Sequence, residues 1–230
     1  MMDPVLNDML PFPGWIGVWV LLAVSMALFI PRVAFFLRVF RAAKSENRFT
    51  QIGRRLVHVV VDVLFQPRFR DRTNVIHGFM WPVHFLIFWG FVVFACSFGL
   101  LLVKGLIPVV PYPWPERVGP IGLLLDVFGV IVLAALLIAA VRRYIIRPPR
   151  VKATIDAATI LVLIALVMLT SLAGGAADLV ASGEPANAWR PVSTAIAAWF
   201  AAAGLGTDSA RVLYLAMWWS HVAIVLGFLA

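Results

Sequence analysis

Five long stretches without charge decide what this chain can fold into. Met9–Pro31, Thr73–Val103, Ala157–Ala177 and Val212–Ala230 contain no Asp, Glu, Lys or Arg, and Val118–Val141 contains only Asp126. Each reaches the roughly 20 residues that a helix needs to cross a hydrocarbon core of about 30 Å. No water enters that core, so a spanning segment must satisfy its own backbone, and helix is the form that does so at this length. The expected fold is all-α: an integral membrane bundle of five transmembrane helices with short interfacial helices, in one domain over residues 1–230. Composition agrees, since the chain is 63% hydrophobic and 13% charged. That charged share is about half of what a soluble domain carries.

Charge then orients the bundle. Fifteen of the 19 Lys and Arg residues fall in two loops. Arg32 to Arg72 joins runs one and two, and Arg142 to Lys152 joins runs three and four. The positive-inside rule places both loops in the cytoplasm and the N-terminus outside. The formal charge of +8 is therefore read as topology, and nucleic acid is not an expected partner. Phe49–Gln66 has apolar residues at helical spacing with Arg54 and Arg55 opposite, which suits a helix lying on the membrane surface. Pro108–Pro115 reads as a stiff turn on the outer side. Pro191–Ala203 is apolar but too short to span, which suits an outer-face or re-entrant helix. The expected location is a bacterial or archaeal cytoplasmic membrane.

The four histidines carry the chemistry. A histidine inside a bilayer is costly and is a functional candidate by default. His77 and His84 lie seven residues apart on the second run, so they share a face. Counted from the run edges, His84 is about 16 Å deep and His221 about 14 Å deep from the opposite side, at ~1.5 Å per residue. Both fall near the midplane on antiparallel helices, where two imidazoles can ligate one haem iron from either side. His77 would serve a second haem nearer the cytoplasm. The plain alternative is that these rings make helix–helix hydrogen bonds. His58 belongs to the surface helix, where ligation is not expected. Asp126 is the one acid well inside a run. It suits a second-shell acceptor for a ligand ring or a proton acceptor from quinol, with a packing hydrogen bond as the alternative. Cys96 is alone, which excludes a disulfide and an iron–sulfur cluster within these residues. Met80, Met168 and Met217 read as packing residues.

Taken together these segments resemble a known family. Phe65-Gln66-Pro67-Arg68-Phe69-Arg70, His84-Phe85-Leu86-Ile87-Phe88-Trp89-Gly90-Phe91, Arg142-Arg143-Tyr144, Asp156, the Thr170–Gly175 region and Trp218-Trp219-Ser220-His221 are similar to the membrane domain of the respiratory nitrate reductase gamma-subunit family. The likeness is greatest to the branch fused to, or partnered with, heterodisulfide-reductase-like iron–sulfur proteins. Some of that branch are assigned to moving electrons between electron-transfer flavoprotein and menaquinone. The resemblance implies two b haems held by spans two and five, with His84 and His221 as the pair nearer the outside and His77 at the other haem. The family's further histidine on span five has no counterpart before Ala230, so the sequence reads as the front part of a longer protein.

The expected function is transmembrane electron transfer by a haem b module (one or two haems). It would link menaquinone or ubiquinone to an iron–sulfur protein or domain on the cytoplasmic side. The rivals are a cofactor-free membrane anchor and a transporter subunit. A transporter predicts broken spans with polar pore faces, and few intramembrane polar groups are present.

Overall fold

In a computed structural model the chain is an all-helical bundle, described for residues 11–44, 50–67, 80–111, 113–149, 151–184 and 186–229. Five helices are long and apolar enough to cross a membrane: α1 (Gly14–Ala42), α3 (Met80–Leu106), α4 (Gly119–Ala140, continued by a π-turn over Val141–Ile146), α5 (Ile155–Ser182) and α7 (Thr207–Leu229). Two shorter helices accompany them, α2 (Ile52–Val60) and α6 (Pro191–Ala202). Among the described residues there is no strand. This is the architecture of a multi-pass membrane protein, and apolar side chains such as Phe36, Phe40 and Leu28 stand exposed where lipid would cover them.

The helices outrun the charge-free stretches that mark them. α1 passes through Pro31 and Arg32 to Ala42. α5 begins at Ile155, capped by the Thr154 hydroxyl accepting from the Ala157 N–H at 3.3 Å, and it runs past Asp178. α7 starts five residues before Val212 and takes in Asp208 and Arg211, which pair at 3.4 Å. A charge near a helix end does not stop the helix when it reaches water, as Asp208 and Arg211 do, or finds a counter-charge inside the bundle, as Asp178 does. The start predicted for span two, Thr73–Met80, lies mostly outside the described residues.

Packing centres on α5. It lies against α7, α6 and α4, and α7 also packs on α1. Small residues set the close approaches. A Cβ on Gly174 would sit 3.3 Å from Met217 Cβ, and one on Gly175 would sit 2.7 Å from Ser193 Oγ. Such residues are what let membrane helices meet closely. On α1, Val18 is fully buried and lies 3.4 Å from where a Gly105 Cβ would stand, and Ser25 Oγ donates to the Leu226 carbonyl at 2.7 Å.

Buried charge locks the end of the bundle away from the basic loops. Asp178 Oδ1 accepts from Arg117 at 3.0 Å, and Asp178 Oδ2 accepts from both terminal nitrogens of Arg190 at 3.2 Å. This one carboxylate ties α5 to the 3-10 turn before α4 (Pro115–Arg117) and to the residue that opens α6. Asp178 is 3% exposed and Arg190 is 5% exposed. Removing one partner of a buried ion pair leaves an uncompensated charge and costs about 3–5 kcal/mol. Asp178→Asn is therefore expected to destabilise the bundle by roughly that amount, read as a large fall in the thermal unfolding midpoint of the detergent-solubilised protein.

Candidate functional site

His221 stands in the bundle core on α7. Its Nδ1 lies 3.2 Å from the Val167 carbonyl and 3.1 Å from Thr170 Oγ1, both on α5. The Thr170 hydroxyl donates its proton back to the Leu166 carbonyl at 2.8 Å, so its oxygen is left to accept. Two acceptors therefore face Nδ1, and Nδ1 carries the proton. Nε2 makes no hydrogen bond among the described contacts. Fixing one nitrogen of an imidazole on a carbonyl so that the other offers a lone pair is the arrangement that metal-ligating histidines use. Phe98 of α3 lies across from the ring, with centroids 6.4 Å apart. The neighbouring Trp218 packs edge-on to Trp114 at 5.8 Å and to Trp219 at 5.0 Å.

His84 occupies a different place. It lies on α3 with its side chain exposed on the helix surface, and its Nδ1 is 2.7 Å from Gln66 Oε1. Gln66 is 4% exposed and adopts a left-handed φ of 51° directly after the π-turn Val61–Phe65, which extends α2. Trp81 Nε1 donates to the Phe65 carbonyl at 3.1 Å, and Trp89 Nε1 donates to the Leu64 carbonyl at 3.1 Å. Three side chains along one face of α3 thus hold the end of the surface helix. The helix predicted over Phe49–Gln66 is present as α2 and its π-turn.

The structure does not bring His84 and His221 to one level. Phe98 is the α3 residue beside His221, and His84 lies 14 residues before it. At about 1.5 Å per residue that is roughly 21 Å along the helix. Side contacts through α1 agree. Gly17 approaches Trp219 of α7, and the adjacent Val18 approaches Gly105 of α3. The depth reasoning failed because it counted from charges, whereas register is set by these glycine contacts. His77 lies outside the described residues.

Asp126 is also committed elsewhere. It accepts from the Ser193 N–H at 3.0 Å, and from the Val192 N–H and Ser193 hydroxyl. These groups form the first turn of α6, where the helix dipole favours a carboxylate. The packing reading of Asp126 describes its contacts, and it makes no bond to the His221 ring, whose Nδ1 is held by α5. Met168 is buried in the core and His58 is exposed on α2. Among the described residues no three His, Cys, Asp or Glu side chains gather as a metal-ion site.

A cavity of about 80 Å³ opens beside His221 and reaches the buried ion cluster. His221, Phe98 and Thr170 line one part of it, and Asp178, Arg190 and Glu116 line another. Sequence reasoning missed this cluster because Glu116, Arg117, Asp178 and Arg190 fall outside the charge-free runs. The signal was the Gly174-Gly175-Ala176-Ala177-Asp178 stripe: small residues leading into an acid, with two arginines on the same side of the bundle. Desolvation raises the Glu116 carboxyl above its ordinary value, Asp178 adds to the rise, and Arg117 and Arg190 oppose it. Burial alone would lower the Arg117 guanidinium, but the Asp178 carboxylate outweighs it and the net shift is upward.

The chain is similar to the probable iron-sulfur-binding oxidoreductase FadF of Bacillus subtilis (strain 168), with 28% identity over 214 residues. The matched part is 90% of this chain and 28% of that protein. No family model matches the chain, and no solved structure matches it.

Glu116 gives the fold a pH dependence of definite sign. Its folded pKa is raised, so the folded state holds this proton more tightly than the unfolded state. The stability tied to that proton is fully present below the ordinary carboxyl range and is lost as pH rises through the raised value. Glu116→Gln carries no such titration. Thermal midpoints measured across pH should show the wild type losing ground to Glu116→Gln as pH rises. Parallel curves for the two proteins would contradict this.

Proposed function

We propose that the chain is the membrane electron-transfer module of a quinone-linked oxidoreductase, working with an iron–sulfur protein or domain on the side of the basic loops. The observation that carries this reading is the His221 ring: half-buried among the helices of a membrane bundle, with Nδ1 held by Val167 and Thr170 and Nε2 left to coordinate. The likeness to an iron-sulfur-binding oxidoreductase supports the same class of work, and b-type haem as the group held is what the sequence motifs around His84 and His221 suggest by resemblance.

The residues fit such a group one imidazole at a time. His221 has the ligand chemistry, and its second nitrogen is already satisfied. His84 has its Nδ1 on Gln66, which also orients the ring. The two do not close on one iron, so they belong to two separate sites at two depths, with His77 a further candidate near the second. Haem, when bound, supplies a one-electron redox couple. This chain contributes the rest. Thr170 and Val167 hold one ring nitrogen, Gln66 anchors a ring to the surface helix, and the apolar cluster of Phe94, Leu125 and Met168 packs α3, α4 and α5 together. Cys96 is alone and holds no cluster, so the iron–sulfur chemistry lies outside these residues.

One observation favours the cofactor-free anchor. The cavity beside His221 is about 80 Å³, well below the roughly 300–1,000 Å³ of pockets that hold organic ligands. Reduced-minus-oxidised absorbance of the whole oxidoreductase in membranes decides between the two. The expected result is a b-type spectrum that loses one component in His221→Ala and a different component in His84→Ala. Loss of the entire signal in both variants, with helicity intact, would mean one shared iron. A colourless protein expressed with haem available would favour the anchor.

A further inference from the structure

We propose that the cavity between His221 and the Asp178 ion cluster is a hydrated proton-holding site, with a few ordered waters linking the Glu116 carboxyl at one end to the bundle core at the other. Electron transfer gives the site its use, but the site itself rests on the lining and not on any bound cofactor.

The lining is the first observation. Cavities that stay dry in proteins are walled by Leu, Ile and Phe. This one also has apolar walls, Phe94, Phe98 and Leu125 among them, but Ser97, Glu116, Asp178 and Arg190 line it as well. A water needs about 10–15 Å³ of such space and two or more polar partners. The volume of about 80 Å³ and the chemistry of the wall meet both conditions for several waters.

Trp218 supplies the second. It lines the cavity, is 5% exposed, and its Nε1 has no hydrogen-bond partner in the protein. An indole N–H can only donate, and a buried donor without an acceptor is expensive. The cavity that Trp218 lines is the nearest place for an acceptor to meet that need. Hydroxyl acceptors elsewhere on the wall allow the chain of bonds to continue toward the ion cluster.

The third is the charge arrangement around Glu116. Arg117 lies beside it on the same turn, Asp178 faces it from α5, and Arg190 faces it from the residue before α6. The Tyr214 hydroxyl of α7 stands against Arg117, and Asp126 of α4 is occupied by the first turn of α6. Two guanidiniums and the Asp178 carboxylate leave one positive charge. An ionised Glu116 cancels it and a protonated Glu116 restores it. The cluster can therefore take up one proton and give one back, with only the Glu116 O–H bond formed or broken. Asp178 cannot play this part, because both its oxygens are held by arginines. An electron arriving in the core is then matched by a proton a short distance away, which offsets the cost of placing charge in a low dielectric.

The test reads proton and water without reading electrons. The full-length protein in lipid vesicles would be studied by infrared difference spectroscopy between about pH 5 and about pH 8, in H2O and in D2O. A protonated carboxyl C=O band should appear, shift in D2O, vanish in Glu116→Gln and move in frequency in Glu116→Asp. Ser97→Leu fills the cavity from α3 and should slow deuterium exchange of that band severalfold while leaving helicity unchanged. The proposal is overturned by the absence of an exchangeable band, by its survival in Glu116→Gln, or by unaltered exchange in Ser97→Leu. None of these readouts depends on haem absorbance, so loss of the proton site and loss of the haem reading are separate results.

Discussion

A carboxylate near the end of a membrane helix must find its counter-charge inside the protein or reach water, and Asp178 takes the first course. It grips Arg117 and Arg190 with separate oxygens, and each arginine belongs to a different connection. The far end of the bundle depends on this interaction. Without it Arg190, buried at the start of α6, would lose the carboxylate that both its terminal nitrogens reach. Ion pairs in the interior add little when replaced whole by apolar packing, but breaking one is costly. Here the pairing also fixes where α6 enters. Once Arg190 is held, Pro191 starts the helix and Asp126 receives its first N–H groups from a second spanning helix. Two acids on two spans therefore clamp one short helix that is too small to hold itself in place.

That clamp explains why the fold was legible in the sequence and the site was not. The five spans follow from hydrophobic length alone, because a bilayer imposes a minimum run and charge punctuates it. The surface helix follows from its helical spacing beside Arg54 and Arg55. Helix ends do not follow, since Asp178 and Asp208 sit inside helices and look like boundaries in the sequence. Relative depth is harder still. It depends on which side chain meets which glycine, as Val18 meets Gly105 and Trp219 meets Gly17, and those contacts are between residues far apart in sequence. Counting from Val212, when α7 starts at Thr207, helped to bring His84 and His221 onto one level in the sequence reading. The structure puts roughly 21 Å of helix between His84 and the ring that packs on His221.

Asp126 teaches a related point. Its position inside an apolar run made it a candidate for chemistry, and three donors from α6 occupy it instead. The sequence offered a hint in Pro191-Val192-Ser193, since proline favours the first turn of a helix and leaves the next N–H groups in need of an acceptor. The acids and bases placed at the ends of runs proved more interesting than the acid in the middle. Glu116, Arg117 and Arg190 lie in the connections between runs, yet Glu116 and Arg190 line the same cavity as His221 and Arg117 stands beside Glu116.

The two histidines differ in what they are attached to, and the difference has a physical consequence. His221 is held by α5, the helix at the centre of the packing, so its orientation moves only if the core moves. His84 is held by Gln66, which belongs to the end of a surface helix that buries no residue of its own. That helix end is secured by Trp81 and Trp89 donating to two of its carbonyls, groups that would otherwise lack partners at the membrane surface. A force on α2 is thus transmitted to the His84 ring through a 2.7 Å hydrogen bond and two indole bonds. No comparable connection links α2 to His221 among the described contacts.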